Sequence, residues 1–114
     1  MQYMLLIQSG DALDQWDTLS EDEQKSILGE YFAISELPEV SGGAQLQPVD
    51  TATTVRVENG QTLTTDGPFV ETKEALGGYY LLEADDIDSA IGVAARIPAA
   101  RMGGAIEVRP VVER

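Results

Sequence analysis

Two stretches of this 114-residue chain carry helical periodicity, and short apolar or β-branched runs surround them. The first opens on Ser20-Glu21-Asp22-Glu23, a capping box with Ser20 as N-cap and Glu23 at the third helical position. Ile27, Leu28, Tyr31, Ile34 and Leu37 follow at helical spacing, and Pro38 closes the segment. The second is capped by Asp85 or Asp86, presents Ile87, Ala90, Ile91, Ala94 and Ile97, and stops at Pro98. Ahead of both helices, residues 3–7 form a continuous apolar run that reads as a strand buried on both faces. Residues 9–19 are polar and acidic apart from Leu13, Trp16 and Leu19, and read as a connecting loop.

Gly42-Gly43 reads as a turn. Residues 53–57 alternate and are rich in β-branched side chains, Asn59-Gly60 supplies a hairpin turn, and residues 62–65 return as its second strand. Asp66-Gly67-Pro68-Phe69 breaks that strand, and Gly77-Gly78 leads into another at residues 79–83. Residues 105–111 alternate as a last strand. The order is β-α-β-β-β-α-β. Collapsing the hairpin region gives a single α+β domain over residues 1–114, with the ferredoxin-like βαββαβ plan plus an added hairpin. Both helices then lie on one sheet face. Tyr3, Leu5 and Ile7 oppose Met4 and Leu6, and Tyr79 and Leu81 oppose Tyr80 and Leu82, so both faces need cover. The expected cover for the second face is another copy of the sheet, giving a homodimeric α+β barrel with a partly polar space between the sheets. A monomer that shields the face with its own loops is the alternative.

Charge and missing residue types narrow the function. Twenty acidic residues against seven basic ones leave a net charge of −13, which disfavours nucleic acid and anionic membranes as partners. The chain has no cysteine and no histidine, so disulfides, thiol nucleophiles, Ser-His-Asp triads and imidazole bases are excluded. Glu21-Asp22-Glu23 and Asp85-Asp86-Asp88 fall at helix starts, where capping accounts for them better than metal binding. No dinucleotide or phosphate-loop fingerprint is present, and no cofactor or metal is expected. The first residues lack the charge and apolar length of a signal peptide, so the cytoplasm is the expected location.

The spaced set Tyr3-Met4-Leu5-Leu6, Asp66-Gly67-Pro68-Phe69, Glu71-Thr72-Lys73-Glu74, Leu76-Gly77-Gly78-Tyr79-Tyr80, Ile97-Pro98 and Glu107-Val108-Arg109-Pro110 resembles the YCII-related family, in its DGPF branch. The likeness spans nearly the whole chain and is most specific from about Val55 onward. It implies a dimeric α+β barrel of two ferredoxin-like units and, in some members, an association with extracytoplasmic-function sigma factors. One branch of the wider family has a proposed catalytic His-Asp pair. With no histidine here, only the acidic member has a counterpart, Asp66.

Asp66 stands at a strand end before a Gly-Pro bend. In a cleft beside Phe69 and tyrosines, desolvation would equip it as a general acid or base. An Asx-turn with the following backbone explains it structurally. Arg56 and Arg109 alternate with valines and would offer a carboxylate or phosphate an arginine fork, or else pair with Glu107, Glu83 or Glu71. Tyr3, Tyr79, Tyr80 and Phe69 are further ligand-binding candidates, each equally explained by packing. Lys73, between two glutamates, reads as a solvated loop residue. Three functions are open: a dimeric binder of a small molecule, anionic or neutral, tied to sigma-factor regulation; a cofactor-free lyase, isomerase or hydrolase using Asp66; or a protein-interaction module.

Overall fold

The computed structural model describes residues 1–10, 12–67 and 75–114, and the side chains of all of these except Leu13. The elements run β1 (Gln2–Gln8), α1 (Ala12–Asp17), α2 (Glu21–Ser35), β2 (Val40–Gln45), β3 (Thr53–Glu58), β4 (Gln61–Asp66), β5 (Leu76–Glu83), α3 (Ile87–Ala94) and β6 (Ala105–Pro110), with short 3-10 helices at Val49–Thr51 and Pro98–Arg101. Four strands form one antiparallel sheet in the order β2-β5-β1-β6, while β3 and β4 pair only with each other. With the hairpin set aside, the second strand of the plan joins the third, the third the first and the first the last. This is the ferredoxin-like α+β arrangement expected from the sequence.

Both helix caps form as the residues dictate. The Ser20 hydroxyl accepts from the Glu23 backbone N–H at 3.1 Å, and the Glu23 carboxylate accepts from the Ser20 N–H at 3.2 Å. Asp86 caps α3 by accepting from the Ser89 N–H at 2.8 Å. At each helix start one carboxylate, Glu23 or Asp86, therefore serves a free backbone donor. At Asn59-Gly60 both φ values are positive, 50° and 76°, as a tight two-residue hairpin turn requires.

Two expectations change. Residues 9–19 are not simply a loop: six of them form α1, too short for its apolar positions to establish a period. Gly42-Gly43 is not a turn but the middle of β2, so the second strand of the plan is Val40–Gln45 and the hairpin is wholly additional. A strand with glycines in its middle lacks the β-branched side chains that mark strands in sequence.

The core lies between the helices and one sheet face. Leu5, Ile34, Leu82, Ala90 and Ile97 are fully or almost fully buried there, joined by Tyr3 and Tyr80. Each large aliphatic side chain withdrawn from water in this way contributes about 1.5–3 kcal/mol. Strand register puts Met4, Leu6, Tyr79 and Leu81 on the opposite face, together with Glu107 and Arg109. These four apolar side chains are only partly buried.

Candidate functional site: an apolar cavity at the sheet edge

Helix α2 carries more apolar surface than its core contact uses. Ile34 is buried, whereas Leu28 and Phe32, one turn apart, are 53% and 66% exposed. They border a cavity of 660 Å³ between α1, α2 and the β2–β5 edge of the sheet. Helix α1 contributes Ala12 and Trp16, and α2 contributes Ile27, Leu28, Tyr31, Phe32 and Ser35. β2 and the chain after it supply residues 43–49, and β5 with its approach supplies residues 75–80. Ile7, Ser9, Ala99 and Met102 complete the wall. The Gln24 side-chain amide donates to the Trp16 carbonyl at 3.0 Å and ties the end of α1 to α2.

No lining residue among those described is charged. The Tyr80 hydroxyl donates to the Tyr31 carbonyl at 3.0 Å, and the Ser35 hydroxyl donates to the Phe32 carbonyl at 2.6 Å. Burial pushes the Tyr31 hydroxyl above its ordinary pKa, against smaller opposing effects of the Ala99 backbone and the Arg101 charge. Tyr80 is raised for the same reason, its burial first and then its nearness to Tyr31. Both phenols are therefore protonated at neutral pH. Arg101 itself is engaged by Glu30.

The residues singled out from sequence are spread over three places. Tyr80 lines the cavity from the helix side, while Tyr79 only borders it from β5, strand register putting its side chain on the helix-free face. Tyr3 lies under the helices in the core, its hydroxyl 3.8 Å from the Met1 sulfur, so Tyr3 and Tyr80 do not share an open face with Tyr79. Strand alternation separates adjacent tyrosines, and the sequence alone does not say which face the helices take. Arg109 lies on the helix-free face, and its guanidinium approaches Glu107 at 3.7 Å, one of the ion pairs expected for it. Arg56 is exposed on β3, in the other sheet, so the two arginines do not converge on one strand pair. Asp66 ends β4 opposite Thr53, exposed, and is not among the cavity-lining residues. Pro68 has no N–H to give the Asp66 carboxylate, so an Asx-type contact would have to draw on the N–H of residue 69, which, like Phe69 and Lys73 as candidates, lies outside the described residues. Sequence reasoning missed Trp16, Phe32, Leu46 and Val49. The available signal was Phe32: with Ile27, Leu28 and Tyr31 it makes an apolar surface too wide for one core-facing stripe.

A ferredoxin-like α+β domain with a lateral apolar cavity is the class this geometry defines. The YCII-related domain family matches residues 1–114, and the chain belongs to that family. An uncharacterized protein of Rhizobium meliloti (strain 1021), R00369, is 34% identical over 97 residues, covering 81% of this chain and 78% of its own length. Among solved structures, 5-chloro-2-hydroxyhydroquinone dehydrochlorinase (TftG) from Burkholderia phenoliruptrix AC1100, in complex with 2,5-dihydroxybenzoquinone, superposes with a TM-score of 0.50. That alignment covers 100% of this chain and 96% of the other at 13% sequence identity, a likeness of fold.

Proposed function

We propose that this chain binds a small, predominantly apolar molecule in the cavity between α1, α2 and the β2–β5 edge, and that it does so as a homodimer. The observation that carries the reading is the cavity itself. At 660 Å³ it falls within the roughly 300–1,000 Å³ of small-molecule sites, and it is walled by aliphatic and aromatic side chains with a few polar groups. Dimerisation is supported by the partly exposed Met4, Leu6, Tyr79 and Leu81 on the helix-free face. Association of some family members with extracytoplasmic-function sigma factors offers a regulatory setting for such a binder. A protein of this charge, working without a membrane or nucleic-acid partner, fits the cytoplasm.

Trp16 is the chain's one tryptophan and lines the cavity, so its emission reports occupancy. Titration with a neutral bicyclic hydrocarbon such as tetralin should change that emission saturably and raise the melting temperature, by about 2.7 kcal/mol of stabilisation at a hundred times Kd. Leu28→Glu, at a half-exposed position, should abolish both effects while the protein stays folded. A non-saturable response, or one that survives Leu28→Glu, would refute the cavity as the site.

A second reading is a cofactor-free enzyme with Asp66 as general acid or base. It is favoured by the likeness of fold to a dehydrochlorinase. It predicts turnover of a hydroxylated aromatic substrate that Asp66→Asn abolishes with the melting temperature unchanged. Retention of turnover in that variant would remove Asp66 from the chemistry.

A further inference from the structure

A gap in the sheet face on the helix side shapes the cavity floor. Strand register sets Ile7, Gly78 and Gln45 side by side across β1, β5 and β2, on the face that also carries Leu5 and Tyr80. Gly78 leaves the middle of that row empty: a Cβ built there would come 3.7 Å from Ile7 Cδ1 and 3.5 Å from Gln45 Cα. All three residues line the cavity. Gln45 also differs from the other polar side chains of the wall. The hydroxyl protons of Tyr80 and Ser35 are committed to backbone carbonyls. Ser9 Oγ is pressed against Gly77, in the space that a side chain at that position would take. Tyr79 stands on the helix-free face, and Tyr31 is partly buried near Arg101 and Glu30. Gln47 follows two residues after Gln45, beyond the end of β2. Gln45 is thus the polar side chain that strand pairing holds beside the empty floor. Charge is missing even where water reaches. Twenty acids make the surface of this chain densely charged, yet the polar side chains on the exposed rim are Ser35, Gln45 and Gln47.

From this, and resting on the cavity being a binding site, we infer that the ligand is an uncharged amphipathic molecule and that Gln45 recognises its polar end. The apolar body lies against Trp16, Ile27 and Leu28, and the polar end enters the gap over Gly78. A side-chain carboxamide both gives and takes hydrogen bonds, so it matches a neutral group that does the same: an amide, a lactam or a hydroxyl. A carboxylate brings only acceptors and an ammonium only donors, and either would leave water for a wall whose described residues hold no counter-charge. Arg56 and Arg109, read in the sequence as an arginine fork for anions, lie outside that wall.

The test uses probes on one ring system: tetralin and its carboxamide, carboxylate and aminomethyl derivatives, the last an ammonium at neutral pH. Each is titrated, by Trp16 emission and by calorimetry, into wild type, Gln45→Leu, Gln47→Leu and Tyr31→Phe. Gln45→Leu keeps the bulk of an exposed side chain and removes its amide. It should weaken the carboxamide roughly fivefold, the loss of one hydrogen bond, and leave tetralin within about twofold. Gln47→Leu and Tyr31→Phe should leave the ratio of carboxamide to tetralin affinity unchanged. Both ions should bind wild type at least about tenfold more weakly than the carboxamide. If Gln45→Leu weakens carboxamide and tetralin alike, or neither, the inference fails while the cavity stands. The same holds if the ratio falls in Gln47→Leu or Tyr31→Phe instead, or if either ion binds tightest. If none of the probes saturates, the cavity reading fails with it.

Discussion

Asp86 accepts a hydrogen bond from the Ser89 backbone N–H at 2.8 Å, and that bond, with the Ser89 side chain behind it, holds its carboxyl below the usual carboxylate pKa. A carboxyl depressed on folding stabilises the protein above its unfolded pKa, near ~4, and the contribution disappears as pH falls through the lower folded value. Asp86→Asn keeps a capping acceptor that does not titrate, whereas Asp86→Ala removes the cap. Thermal melts should place the alanine variant below the other two at neutral pH. The gap between wild type and Asp86→Asn should close toward about pH 3; a gap that widens in acid would contradict the assignment. Such caps are legible in sequence because donor and acceptor are three residues apart. The cavity tyrosines were only half legible. Period-2 alternation separates Tyr79 from Tyr80, but which face each joins depends on where α2 and α3 pack, and that is decided by residues far along the chain.

Strand β2 was the element that sequence concealed. Its glycines pair closely with β5: a Cβ built at Gly43 would lie 2.6 Å from the Tyr79 carbonyl oxygen and 3.0 Å from Tyr80 Cδ1. At Gly42 the nearest atom would be Leu81 Cδ1 at an ordinary 3.8 Å. Gly43→Ala should therefore cost about 1–3 kcal/mol in denaturant unfolding, because backbone has to move. Gly42→Ala should stay within about 0.5 kcal/mol of wild type. Equal effects would mean that β2 sits less tightly against β5. Close approach of two backbones selects glycine, and glycine in sequence signals a turn first, so the packing that fixes β2 also hides it. The hairpin, the capping box and the first and last strands of the main sheet carry their signals locally and were read correctly.

The molecule measures 47 × 42 × 19 Å, with a radius of gyration of 16.0 Å. A compact chain of this length has about 13 Å. Much of the excess shape accompanies the β3–β4 hairpin, which forms a sheet of its own and leaves Val55 and Val57 59% and 69% exposed. A body one sheet and one helix layer thick hides a single sheet face. Light scattering at micromolar concentration should return twice the 12.3 kDa chain mass. Leu81→Glu, on the helix-free face, should return one chain mass from a protein that still melts cooperatively. A wild type that scatters as one chain would end the dimer proposal.

The order of strands also dictates how synthesis must proceed. β1 sits inside the sheet between β5 and β6, both of which follow it in the chain by many residues. This apolar strand thus emerges ahead of both strands that flank it and has no strand neighbour until residue 76, and only one until residue 105. Helix α2 can cover one face of β1 early, but both hydrogen-bonding edges of the strand stay unpaired until β5 and β6 emerge, and a polypeptide halted before β6 keeps an open, adhesive edge.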